Sequence, residues 1–300
     1  MWRFAHLTDP HLASDRDGVW NNRFLCTMMP EVMACLKRDL ALMQPDFILA
    51  TGDICSHQTR EAMFEARDIM DTLGIKYYPM GGNHDFVKQQ SRSWFREAFA
   101  PHLPLPRTFY SFNHKNLHFV VLDPWWLWAD GTICEEGQPT VVAELDMTLK
   151  DASWVVPPFQ LEWMEEDLLQ HADRPAIIAI HEPIVPTPAR MQRPKYNESG
   201  ALANGDIMLD IFERHPRVKA VFSGHIHMHY IERARSITQV VTSALPEFPV
   251  EYREVCVYED RLEVRAKALS DPSFAERTLI PGKEWTLGTP EDRETVIPLD

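Results

Sequence analysis

Three apolar runs in the first third of the chain each end in a short polar cluster, and this pattern limits the fold more than any other feature. Residues 2 to 8 lead to Asp9-Pro10-His11, residues 46 to 50 to Thr51-Gly52-Asp53, and residues 75 to 80 to Gly81-Gly82-Asn83-His84-Asp85. Short apolar runs bounded by turn formers read as strands. Between the first two runs, residues 20 to 43 carry Phe24, Leu25, Met28, Met29, Val32, Met33, Leu36, Leu40 and Met43 at three- and four-residue spacings, which predicts an amphipathic helix. Residues 59 to 73 read as a second helix, stopped by Gly74. Strands alternating with helices predict βαβ units, a largely parallel sheet and an α/β fold with polar groups at the carboxyl ends of its strands. Any one of these clusters reads equally well as a turn; three in succession point to a site.

Further on, residues 108 to 112 and 117 to 122 flank Asn113-His114-Lys115-Asn116, which predicts a β-hairpin and therefore a mixed sheet. The pattern breaks over residues 124 to 158, read as an inserted cap or rim. Its cluster Trp125-Trp126-Leu127-Trp128 fits a substrate wall, a small core of its own, or a contact between copies in a homo-oligomer. A helix over 159 to 170 leads to a strand over 176 to 180 ending in His181-Glu182-Pro183. A helix over 201 to 214 leads to a strand over 218 to 222 ending in Ser223-Gly224-His225-Ile226-His227. Runs at 230 to 234, 237 to 242, 254 to 258 and 262 to 266 read as strands of a second sheet. The domain is expected to span 1 to 269, with 270 to 300 lying over the surface as an arm.

Composition narrows the partners. Lys+Arg 30 against Asp+Glu 44 gives a net charge of −14, which argues against a groove for nucleic acid or attachment to an anionic membrane. Five scattered cysteines without a Cys-x-x-Cys pair read as reduced thiols. The N-terminus lacks the pattern of an export signal, and no apolar run approaches the ~20 residues that span a bilayer. A cytoplasmic protein is the expectation.

The strand-end residues Asp9, His11, Asp53, Asn83, His84, His181, His225 and His227 offer oxygen and imidazole donors without thiolate, a set suited to Mn, Fe, Zn, Co or Ni. In Asp9-x-His11 and His225-x-His227 the one-residue spacing places both side chains on the same side of an extended segment. A lone His-x-His is weak; five segments converging through adjacent strands are not. In order and in full, Asp9-x-His11, Gly52-Asp53, Gly82-Asn83-His84-Asp85, His181 and Gly224-His225-x-His227 resemble the five motifs of the calcineurin-like metallophosphoesterase superfamily, over about residues 1 to 245. The short opening and the Gly-Asn-His-Asp motif look most like class III cyclic nucleotide phosphodiesterases and bacterial glycerophosphodiesterases.

The resemblance implies a four-layer αββα sandwich of two mixed sheets flanked by helices, with a small inserted cap. It implies two divalent or transition metal ions (Mn2+, Fe2+/Fe3+ or Zn2+), one on Asp9, His11, Asp53 and His227, the other on Asp53, Asn83, His181 and His225. Asp53 would bridge them and, with His84, be catalytic; Asn83 and His84 would contact the substrate. A hydroxide shared by the metals would attack the phosphorus of a small phosphodiester, and His84 would bind the phosphate or protonate the leaving alkoxide. Ser56 stands where purple acid phosphatases carry a ligand Tyr, and His84 where lipid A pathway diphosphatases usually carry Arg. A phosphomonoesterase or nucleotidase of the same fold, and a scaffold without catalysis, are the rival readings. Of the remaining histidines only His57 and His229 are flagged, as neighbours of the phosphate and of the ligands respectively.

Overall fold

The computed structural model describes residues 1–300 apart from 58, 87–89, 125, 130–131, 134–153 and 193–199. In chain order the elements are β1 (Trp2–Leu7), β2 (Asp17–Val19), β3 (Arg23–Leu25), α1 (Met29–Met43), β4 (Ile48–Thr51), α2 (Arg60–Asp71), β5 (Tyr77–Met80), α3 (Ser91–Ala98), β6 (Tyr110–His114) and β7 (Leu117–Val121). There follow β8 (Trp126–Ala129), β9 (Thr132–Ile133), β10 (Trp154–Val155), α4 (Pro158–Gln170), β11 (Ala176–Ala179), α5 (Gly205–Arg214), β12 (Val218–Ser223), β13 (Tyr230–Ala234) and β14 (Ile237–Val241). The chain closes with β15 (Glu251–Val257), β16 (Arg261–Ala268), α6 (Ser273–Thr278), α7 (Pro290–Arg293) and β17 (Glu294–Pro298).

Among the described residues two six-stranded mixed sheets dominate, ordered β17-β16-β15-β1-β4-β5 and β13-β14-β12-β11-β7-β6. In the first, β1, β4 and β5 run parallel and β15, β16 and β17 add on antiparallel at the other side; the second has a parallel centre, β14-β12-β11-β7, and antiparallel edges. Strand alternation shows why they stack. Along β1, Phe4 joins the core between the sheets, while Ala5 and Leu7 join the layer of Val32, Leu36, Leu40, Met63 and Met70 from α1 and α2. Phe4 packs edge-on to Phe119 and Phe222 of the second sheet, at 5.6 and 5.8 Å between ring centroids. Helices α4 and α5 contribute Met164, Leu168, Met208 and Phe212 to the same core. The result is helices, sheet, sheet, helices.

Several local expectations change. The helix predicted over 20 to 43 begins only at Met29, with Pro30 in its first turn, where a missing N–H costs nothing. Its first residues instead form the β2–β3 hairpin and a single 3-10 turn over Cys26–Met28. The four late strands do not make a sheet of their own: β13 and β14 extend the second sheet, β15 and β16 the first. The β6–β7 turn is two residues, with Lys115 at φ 50°, rather than four. The C-terminal stretch ends in β17, hydrogen-bonded along β16, so its end closes a sheet edge. Most of the expected cap over 124 to 158 lies outside the described residues; β8, β9 and β10 form a small sheet there.

Arg253 of β15 ties this assembly together. Fully buried, it donates from Nη2 to Val241 O at 2.9 Å and Asp292 O at 2.8 Å, from Nη1 to Arg293 O at 3.2 Å, and from Nε to Thr242 Oγ1 at 3.0 Å. One side chain thus links the first sheet, the second sheet and α7. Burial lowers its pKa to about 9. Arg253→Met is expected to reduce the unfolding free energy by about 2–4 kcal/mol, because it orphans buried carbonyls. Urea unfolding measures this, and Arg253→Lys, lacking the fork, should recover less than half.

Candidate metal centre

The loops that follow β1, β4, β5, β11 and β12 meet at one end of the sandwich and are laced by backbone bonds. Asp9 N donates to Gly52 O and His11 N to Asp53 O, both at 3.0 Å, and Gly224 N donates to His181 O at 2.9 Å. These loops are not extended, although the one-residue spacings predict extended segments. Asp9, His11, Asp53, His225 and His227 all have left-handed backbone, with φ between 43° and 70°. Such a conformation costs about 1–2 kcal/mol for most residues and is least unfavourable for Asp, Asn and His. Glycines make room for the tight turns. A Cβ on Gly82 would overlap Asp53 Oδ1 and the His181 ring, and one on Gly224 would overlap Thr8 Oγ1 and Asp9 Oδ2.

All eight sequence-selected residues come together. In one group, His227 Nε2 lies 3.3 Å from Asp9 Oδ1 and 3.4 Å from His11 Nε2, which is 3.7 Å from Asp53 Oδ2. In the other, His181 Nε2 lies 3.3 Å from Asp53 Oδ2 and 3.2 Å from Asn83 Oδ1, itself 3.0 Å from His225 Nδ1. Asp53 Oδ2 faces both groups. Donors bound to one ion at about 2.0–2.1 Å lie about 3.0–3.4 Å apart, so these separations match or slightly exceed the edges of a coordination polyhedron. The two histidines of His225-x-His227 therefore turn to different groups rather than to one.

Each carboxylate is held by one oxygen and presents the other. Asp9 Oδ2 accepts from Thr8 Oγ1 at 2.5 Å and from His225 N at 3.0 Å, while Asp9 Oδ1 is buried without a hydrogen-bond partner. Asp53 Oδ1 accepts from His84 N at 2.8 Å, which leaves Oδ2 for the site. The imidazoles are oriented from behind in the same way. His181 Nδ1 donates to Thr51 O at 2.7 Å and His227 Nδ1 to Glu247 Oε2 at 2.8 Å, turning each Nε2 toward the carboxylates. The half-buried His84 ring stands edge-on to His11 at 4.8 Å between centroids.

Burial alone would raise the carboxyls of Asp9 and Asp53, but His181 and its neighbours keep Asp9 at about 2 and Asp53 well below its ordinary value. Burial lowers His11 and His225 to about 3, so both rings are neutral donors. Against burial, Asp9 and Glu247 lift His227 to about 10. Burial and the charge of Asp53 raise Asp85 to about 7, although it accepts from the backbone of Ile54, Cys55 and Gly82. Glu182, beside His181, is buried with neither oxygen hydrogen-bonded. Unpartnered oxygens on Asp9 and Glu182 fit a centre that binds cations.

Glu247 and Phe24 escaped the sequence reading. Glu247 follows His227 by twenty positions with no motif around it, and Phe24 has the spacing of a helix face; the Phe24 ring stacks on His227 at 5.7 Å and meets His11 edge-on at 4.8 Å. Of the flagged histidines, His229 bonds Ser243 Oγ at 3.1 Å and pairs with Glu251 at 3.0 Å, while His57 lies 3.9 Å from Asp15. The His118, Asp167 and His171 cluster is satisfied internally: His118 bonds Asp167 Oδ2 at 2.6 Å and Asn113 Oδ1 at 2.9 Å. No described helix is long and apolar enough to cross a membrane.

The family model for calcineurin-like phosphoesterases matches residues 3–229. A probable cyclic nucleotide phosphodiesterase of Synechococcus sp. is 23% identical over 257 residues, covering 85% of each chain. A glycerophosphodiester phosphodiesterase, GpdQ, of Enterobacter lignolyticus is 22% identical over 286 residues, covering 94% of this chain and 88% of that protein. Among solved structures, a dimetal phosphatase from Danio rerio superposes with a TM-score of 0.70 at 15% identity, covering 100% of this chain and 99% of the other, a likeness of fold.

The close approach at Gly224 is testable by stability alone. Gly224→Ala should destabilise the protein by about 1–3 kcal/mol by overpacking against Thr8 and Asp9. Gly18→Ala, where an added Cβ meets nothing within 4 Å, should stay within about 0.5 kcal/mol in the same urea titration.

Proposed function

Because this chain belongs to the calcineurin-like phosphoesterase family and is a hydrolytic metallophosphoesterase, we propose that it cleaves a small phosphodiester, of the cyclic nucleotide or glycerophosphodiester kind, at a centre for two metal ions. The observation that carries this reading is Asp53 Oδ2, which is turned toward both donor groups while Asp53 Oδ1 is held by the His84 amide. One ion is assigned to Asp9, His11, Asp53 and His227, the other to Asp53, Asn83, His181 and His225. Bound Mn, Fe or Zn would lower the pKa of water to give hydroxide at neutral pH and draw charge from the phosphoryl oxygens.

The chain's own groups do the rest. Asn83 lies within the second donor group and the His84 ring stands against His11 of the first, where the Asn83 amide and the His84 ring would contact the phosphate. His84 is half-buried, so its ring reaches both the site and solvent, as a proton donor to a leaving alkoxide must. Glu247 and the Thr51 carbonyl keep His227 and His181 presenting Nε2, and Phe24 fixes the planes of His227 and His11.

With added Mn2+, bis(4-nitrophenyl) phosphate should be hydrolysed with a higher kcat/KM than 4-nitrophenyl phosphate. A strong preference for the monoester would establish the phosphomonoesterase reading instead. Asp53→Ala should lower kcat at least about 10³-fold, since it removes the shared carboxylate, and metal analysis should find less than half the wild-type metal content. Retention of most activity would refute the assigned bridge. Glu247→Gln should fold normally yet weaken metal affinity by about 10–100-fold, measured by competition with a chromophoric chelator.

A further inference from the structure

We propose that the β2–β3 hairpin is a specificity element in which the indole of Trp20 receives a planar aromatic substituent of the phosphoester, a role that rests on the phosphodiesterase reading above. Single exposed aromatic residues are ordinary on protein surfaces. Trp20 is set apart by where it stands and how its backbone is held. It is 56% exposed, and its ring centroid lies 6.1 Å from that of His227. Phe24, on β3, is already occupied against His227 and His11. The indole stands beside a ring of the donor set, as a group that receives a base joined to its phosphate through a sugar would.

The hairpin is short and would not hold an aromatic side chain in place by itself. It is instead anchored by buried asparagines. Asn21 Nδ2 donates to Ile226 O at 3.0 Å, between the two histidines of the fifth motif. Asn22 Nδ2 donates to Thr286 Oγ1 at 3.0 Å and to Lys283 O at 3.2 Å, Ile280 N donates to Asn22 Oδ1 at 2.9 Å, and Asn22 N donates to Glu247. Leu25 N adds a bond to Pro246 O at 2.8 Å. An aromatic side chain has two torsions to fix, so on so firmly tied a backbone its face is organised before any ligand arrives. On the opposite flank, the Trp154 ring lies 6.3 Å from His225 and edge-on to it. A base has a π face to lay on Trp20, whereas a glycerol substituent has none, so the hairpin selects between the two kinds of diester.

Methyl 4-nitrophenyl phosphate and thymidine 5′-(4-nitrophenyl phosphate) release the same leaving group and differ in the retained substituent. Wild type should favour the thymidine ester in kcat/KM, and Trp20→Leu should narrow that ratio about tenfold through KM. Trp20→Phe, which keeps a π face, should hold most of it. An unchanged ratio in Trp20→Leu, including an equal fall on both esters, overturns the proposal. Calorimetry on the Mn2+-loaded protein gives a readout that needs no turnover: AMP should bind more tightly than inorganic phosphate, by a margin that shrinks about tenfold in Trp20→Leu. An undiminished margin overturns the assignment of Trp20. A wild type that hydrolyses neither ester, yet shows the Trp20-dependent margin, overturns the diesterase reading and upholds the hairpin's role.

Discussion

Two carboxylates buried side by side set the terms for everything around them. Asp9 and Asp53 are sealed from solvent, and like charges in so dry a place repel strongly unless positive or donor groups are brought to them. No single segment can supply those groups. Imidazoles come from the loops after β1, β11 and β12, an amide oxygen from the loop after β5, and backbone N–H groups from His84 and His225. The loops can converge only if β1 and β4 are neighbours in one sheet, β11 and β12 neighbours in the other, and the two sheets face each other. The sandwich is thus the scaffold that the charge problem requires. Its turns are tightened until five non-glycine residues accept left-handed backbone, and the aromatic and aliphatic core between the sheets supplies the stability that offsets this strain.

Much of this was readable because strand ends carry their chemistry in contiguous letters. An apolar run followed by Asp-x-His, Gly-Asp or Gly-Asn-His reports both an element and what it delivers, and the residues singled out that way lie together at the strand ends. What failed were inferences that depend on a partner elsewhere. Phe24, Leu25 and Met28 have helical spacing, yet Phe24 is apolar because it stacks on His227, not because it lies on a helix face. The distribution of β13 to β16 between two sheets is decided by which edges are free, and nothing in the strands themselves declares it. Glu247 is an ordinary glutamate in a loop until the fold brings it behind His227.

The same distinction applies to the base of the molecule. Arg253 lies just outside the strand expected over 254 to 258, and no local pattern marks it, yet its guanidinium is buried among carbonyls from the second sheet and α7. Above it, Thr242 accepts from Arg253 and contacts His6, which contacts Thr51, the residue whose carbonyl orients His181. A continuous polar thread runs through the apolar core from the C-terminal segment to the centre.

The anchoring of Asn22 to Ile280, Lys283 and Thr286 joins a loop near the start of the chain to one near its end. In inheritance, these distant stretches form a single unit. A hairpin transplanted from a relative would arrive without its moorings, and a change in the final thirty residues would be felt first in what the hairpin presents, with the five motifs untouched. Divergence of substrate preference in such a lineage would then be written in paired changes at the two ends of the chain, outside the segments that define the family.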